Sequence, residues 1–116
     1  MTTKLDFYCW VRCTTCRKAK EFLSQKDIEI NERDFFKKPF TVDEIRDLLR
    51  GKSSSEMFNF RSPSFKQLGL SRENLSDDQL IDLMLKEPRL VRRPVVRIGD
   101  RTYFGADRSI LEGLVG

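Results

Sequence analysis

Between residues 5 and 30 the hydrophobic pattern changes period twice, and a cysteine pair marks the first change. Leu5 to Trp10 is an aromatic and apolar run suited to a buried strand. Ala19, Phe22 and Leu23 then recur at helical spacing, after which Ile28 and Ile30 alternate with Glu29 and Asn31 as a second short strand. A strand, helix, strand unit of about thirty residues has the length of a parallel crossover, a connection that is nearly always right-handed. Cys13 and Cys16 fall where the first strand gives way to the helix.

Thr41-Val42-Asp43-Glu44 has the form of a capping box, with Ile45, Leu48 and Leu49 on one apolar face and Gly51 as the expected stop. Ser62-Pro63 reads as an N-cap and first helical position of a short helix ending near Leu68, where Gly69 can turn left-handed, and Arg61 stands just ahead of it. A second capping box, Ser76-Asp77-Asp78-Gln79, opens a helix with Leu80, Leu83 and Met84 on one face and Pro88 at its limit. Beyond Pro94, Val95-Val96-Arg97-Ile98 reads as a strand, Gly99-Asp100 as a two-residue turn and Thr102-Tyr103-Phe104 as the returning strand, while Ile110, Leu111 and Leu114 close the chain as a helix. The order predicts an α/β fold of the thioredoxin-like kind: a small mixed four-stranded sheet with flanking helices and a helical insert, residues 41–88, between the second and third strands. No repeat or linker divides the chain, so residues 1–116 are expected to form one domain.

Composition narrows the function classes. With 39% hydrophobic and 34% charged residues, the chain has the make-up of a globular protein rather than a disordered or membrane-embedded one. The apolar run at residues 7–11 is hemmed in by Lys4, Asp6 and Arg12, which suits neither a signal peptide nor a membrane span, so a cytoplasmic location is expected. The 22 basic residues are interleaved with 18 acidic ones; Arg89, Arg92 and Arg93 cluster, but no basic stripe or base-reading motif accompanies them. Direct binding of nucleic acid or membrane is therefore not expected, and the chain is expected to be monomeric. The absence of histidine removes Cys-His and Ser-His-Asp catalysis and mixed Cys-His zinc sites.

A cysteine just ahead of a helix lies beside unpaired backbone N–H groups and the positive end of the helix dipole, both of which favour thiolate over thiol. Cys13 has that position. Cys16, three residues on, shares the first turn and the same face, close enough to attack a sulfur adduct on Cys13. Thr14, Thr15 and Arg17 shape the surroundings, and Arg17, Lys18 and Lys20 add positive potential. Cys9, Cys13 and Cys16 also spell the C-x-x-x-C-x-x-C spacing of some iron-sulfur sites, but Cys9 lies inside the predicted strand as a small buried hydrophobe, and the fourth ligand that zinc requires is missing. No metal and no bound cofactor are expected.

Three segments in order, Cys13-Thr14-Thr15-Cys16-Arg17-Lys18-Ala19, Arg61-Ser62-Pro63-Ser64-Phe65-Lys66 and Leu90-Val91-Arg92-Arg93-Pro94-Val95-Val96, resemble the arsenate reductase family that includes the Spx regulators. The resemblance implies that Cys13 is the nucleophile, that Arg61 and Arg93 bind or stabilise an oxyanion, and that the Arg93-Pro94 peptide bond is cis beside the thiol helix. Where the glutathione-dependent arsenate reductases carry a third active-site arginine, this chain has Gly105-Ala106-Asp107. Cys16 instead matches the C-x-x-C that Spx-like proteins use as a redox switch.

Two functions follow. One is a thiol-disulfide oxidoreductase, Cys13 attacking arsenate, a related oxyanion or a disulfide and Cys16 resolving the adduct, with thioredoxin or glutathione and glutaredoxin as external thiol reductant. The other is an Spx-like redox-sensing regulator that binds the RNA polymerase alpha subunit, although Gly51-Lys52-Ser53-Ser54-Ser55-Glu56 does not obviously reproduce the surface those regulators use.

Overall fold

The computed structural model describes residues 3–26 and 28–115. It divides the chain into two compact units: one takes the residues up to 38 and those from 93 onward, the other spans residues 39–92.

The first unit is built on β1 (Thr3–Cys9), which alternates rather than being buried on both sides. Leu5, Phe7 and Cys9 are buried, while Asp6 and Tyr8 are half-exposed, so one face of the strand meets the core. Trp10 lies beyond the strand, at the start of a turn closed by the Cys13 N–H donating to the Trp10 carbonyl at 2.9 Å. β2 (Ile28–Asp34) runs parallel to β1 in a register that sets Leu5 opposite Ile30 and Cys9 opposite Asp34. β3 (Val95–Ile98) and β4 (Arg101–Phe104) form the hairpin, and β3 pairs antiparallel with the other edge of β1. The sheet order is β2-β1-β3-β4, the expected mixed four-stranded sheet.

Helix α1 (Thr14–Ser24) turns Cys16, Ala19, Phe22 and Leu23 inward, at the spacing that puts one stripe on the sheet. These side chains join Leu5, Phe7, Cys9, Val96, Ala106 and Leu111 in one buried cluster. Burial of each large apolar side chain is worth about 1.5–3 kcal/mol. In the closing helix α5 (Arg108–Val115), Leu111 alone of the three expected apolar residues is fully buried; Ile110 and Leu114 stay exposed.

The second unit supplies the insert between β2 and β3. Both capping boxes form: Thr41 and Glu44 exchange side-chain-to-backbone bonds at the start of α2 (Val42–Leu49), as do Ser76 and Gln79 at the start of α4 (Asp77–Lys86). α3 (Pro63–Leu68) begins at the Ser62 cap and ends on Gly69 at φ 66°, as expected. α2 stops one residue earlier than Gly51 suggests. Arg50 itself takes the left-handed conformation, φ 46°, and its N–H closes onto the Arg46 carbonyl at 2.9 Å. Short 3-10 turns at 54–56, 72–74 and 88–90 complete the insert. Asp77 ties one of them to α4 by accepting from the Ser54 N–H at 3.1 Å.

Candidate redox site

Cys13 is the N-cap residue of α1, with extended backbone angles. Its sulfur is thereby left at the helix entrance, half-buried, while Cys16 one turn on is only 2% exposed. The two sulfurs share one proton unequally. The Cys13 thiolate accepts hydrogen bonds from the Cys16 thiol, the Cys16 backbone N–H and the Arg93 side chain, and these outweigh burial and bring its pKa down to about 5. Donation to Cys13, reinforced by burial, drives Cys16 the other way, well above the ordinary thiol value. At neutral pH the outer sulfur is the thiolate and the inner one holds the proton.

Arg93 reaches the thiolate from the start of the last sheet segment. Its peptide bond to Pro94 is cis, as the resemblance implies, and Pro94 is buried, its carbonyl accepting from the Ala106 N–H at 2.9 Å. The guanidinium lies 5.3 Å from the Trp10 ring centre and 5.6 Å from that of Phe36. Those two rings are stacked in parallel, 4.2 Å apart with planes 8° from parallel. A cation beside two aromatic rings gains from their quadrupoles and gives up some of its hydration.

Thr14, Thr15 and Arg17 are exposed on the first turn of α1. Lys20 is turned to Glu32, at 2.8 Å, so its charge is engaged across the sheet edge rather than aimed at Cys13. Glu32 also accepts from the Cys9 thiol at 3.5 Å. Burial and the Glu32 carboxylate together push Cys9 up to about 12. Arg61 belongs to the second unit, where it is exposed and its backbone N–H donates to the Asn59 side chain at 3.1 Å. Among the described residues no group of three or more Cys, Asp or Glu side chains is arranged to hold a metal ion.

Trp10, Phe36 and Asp34 are the neighbours that sequence reading missed. Trp10, the chain's one tryptophan three residues before Cys13, was a usable local signal. Phe36 and Asp34 had none, because only the parallel register Cys9 to Asp34 brings the end of β2 to the thiol loop.

The family model that describes the ArsC family matches residues 8–112, which holds the thiol helix, the sheet and the Arg93-Pro94 segment. The chain belongs to the ArsC family. Within the curated proteins, this ArsC-family chain is 38% identical over 94 residues to the global transcriptional regulator Spx of Listeria innocua, covering 79% of this chain and 72% of that one. It is 35% identical over 98 residues to the regulatory protein MgsR of Bacillus subtilis, covering 83% and 78%. An arsenate reductase from Vibrio cholerae superposes with a TM-score of 0.82 at 23% identity, over 97% of this chain and 98% of the other. An ArsC-related protein from Brucella melitensis gives 0.76 at 22% identity, over 97% and 93%. At those identities the structural likeness speaks for the thioredoxin-like fold alone. No helix among the described residues is long and apolar enough to cross a membrane.

Proposed function

We propose that this ArsC-family chain is a thiol-disulfide oxidoreductase in which Cys13 is the nucleophile and Cys16 the resolving thiol. The observation that carries this reading is the asymmetry of the pair: one sulfur half-exposed, depressed to about 5 and beside Arg93, the other buried and protonated. Cys13 thiolate attacks one sulfur of a substrate disulfide, forming a mixed disulfide and expelling the other sulfur as thiolate. Cys16 then gives up its proton and attacks the Cys13 sulfur, releasing the second substrate thiolate and leaving a Cys13–Cys16 disulfide. Two electrons have moved from the pair to the substrate. With arsenate the first step joins Cys13 to As(V) with loss of an oxygen as water. The second breaks that S–As bond so that its electron pair stays on arsenic, giving As(III). Arg93 holds the negative charge that develops in either case. Thioredoxin, or glutathione with glutaredoxin, returns the pair to its thiols.

The test is NADPH oxidation coupled in parallel to both thiol systems, with arsenate or a model disulfide as oxidant. Cys13→Ser should abolish turnover, whereas Cys16→Ser should permit the first attack and accumulate a one-to-one adduct by intact mass. Equal retention of turnover in the two variants would sink the assignment. Arg61→Ala examines the second arginine implied by the family resemblance, with a rise in KM expected.

A second reading rests on one specific finding, that the curated relatives are named as transcriptional and regulatory proteins. The same disulfide would then gate binding to the RNA polymerase alpha subunit. Immobilised protein should capture that subunit in one redox state only. Capture in neither state, with turnover in the coupled assay, decides for the enzyme.

A further inference from the structure

Asp34 closes β2 opposite Cys9, and its carboxylate gathers backbone N–H groups from two separate segments. One oxygen accepts from Phe36 at 2.9 Å and Lys37 at 3.3 Å, bending the chain directly after the strand. The other accepts from Val11 at 3.4 Å, inside the loop that leads to Cys13. Phe36 carries one of those anchored amides and Trp10 directly precedes another, Val11, and their rings stack at 4.2 Å. The stack is where the Arg93 guanidinium rests. One side chain thus spans both halves of the aromatic support.

We propose that Asp34 is a positioning residue which, by latching the Val11 loop to the Phe36 turn, holds the Trp10–Phe36 stack in place and so keeps Arg93 beside Cys13. Asp34 touches neither sulfur nor substrate and acts through Arg93. The inference rests on Cys13 being the reactive thiol, and goes beyond that reading in naming what sets its reactivity.

The sign of the expected effect separates this role from a simple charge effect. Deleting a carboxylate near a thiol removes a negative charge, which by Coulomb's law alone lowers the thiol pKa. Loss of the latch frees Arg93 and withdraws a donor and a positive charge from the thiolate, which raises it. The charged or titratable groups acting on Cys13 are Arg93 and Cys16, the latter from its own helix.

The experiment is the pH profile of Cys13 alkylation by iodoacetamide in the full chain, read by mass spectrometry, with Cys13→Ser identifying the site and Trp10 fluorescence reporting the stack. Asp34→Ala should move the midpoint up by about one pH unit or more, with a changed tryptophan emission. Asp34→Asn, which keeps an acceptor oxygen for the Phe36 turn but sets its amide group against the Val11 N–H, should shift it less. In an Arg93→Ala background Asp34→Ala should add nothing. Phe36→Leu, which dismantles the stack without touching a charge, should raise the midpoint too and serves if Asp34→Ala does not fold. A midpoint unchanged or lowered in both Asp34→Asn and Phe36→Leu overturns the latch. Failure of wild-type Cys13 to alkylate selectively overturns instead the reading of the site on which it rests.

Discussion

Three thiols in one short chain titrate in three different ways, and in each case the cause is what surrounds the sulfur. Cys13 accepts from Cys16, from a backbone N–H and from Arg93 and is held near 5; Cys9 donates to Glu32 from a buried strand position and is pushed to about 12; Cys16 keeps its proton because Cys13 takes the hydrogen bond. The thiolate is the species that alkylates, so reactivity should follow these environments rather than sequence position. At pH 7 the reduced native protein should take up one carbamidomethyl group, on Cys13, with a rate that rises through a midpoint near 5 and is level by neutral pH. Cys9 and Cys16 should be labelled only after denaturation. Peptide mapping that finds Cys9 modified in the native protein as fast as Cys13 would refute the assignment of environments.

At the level of elements, local signals decide helix ends and tertiary packing decides what those ends face. Removing the Thr41 cap with Thr41→Ala leaves the Glu44 N–H without its partner and should cost about 1 kcal/mol in urea unfolding. Arg50 offers the opposite case. A side chain at φ 46° is strained by its Cβ, so Arg50→Gly should stabilise by about 0.5–1 kcal/mol, even though it removes the exposed 3.8 Å pair with Asp47, which contributes little. A loss of stability on that replacement would show that the arginine side chain is needed there. The same distinction explains what could be read from the sequence. Strand and helix order, both capping boxes, the Ser62 and Gly69 ends and the Gly99-Asp100 turn follow from nearest-neighbour chemistry and were legible, as was the placement of Cys13 and Cys16 on the first turn. The left-handed Arg50 was not, because glycine at position 51 offered the cheaper residue for that conformation. The exposure of Ile110 and Leu114 was missed because periodicity says which residues share a face, not whether a partner covers it. The Asp34, Phe36 and Trp10 surroundings of Arg93 come from pairing between strands more than twenty residues apart, which no local window contains.

For the molecule as a whole, the proposed Cys13–Cys16 disulfide implies a link between redox state and the stability of the fold. β1 is an interior strand, paired with β2 just after the first helix and with β3 only after the 39–92 unit has intervened, so α1 and its thiols follow the strand that joins early and late parts of the chain. In the reduced protein the folded Cys13 pKa, about 5, lies below its ordinary value of 9.0. Between those values the unfolded chain binds the extra proton, so stability rises with pH across that window and is lost as pH falls through the folded value. Below 9.0 Cys16 is mostly protonated folded or unfolded, because its shift is upward, and the shift of Cys9 is upward as well. The oxidised protein, with Cys13 and Cys16 joined, has no Cys13 proton to lose. Its four-residue loop restrains the unfolded chain by an amount that does not depend on pH. The stability of the reduced form minus that of the oxidised form should therefore increase from pH 5.5 to pH 8.5, by at most about 1.4 kcal/mol per pH unit and by less where solvent screens the half-buried sulfur. Urea unfolding of both forms across that range measures it directly. Cys13→Ser, which cannot form the disulfide and has no titrating sulfur at that position, gives a second reference: the stability of the reduced wild-type chain minus that of Cys13→Ser should rise with pH in the same way, and a reduced-minus-oxidised difference that is flat or falls with pH in the wild-type chain would show that Cys13 is not held as a thiolate by the folded structure.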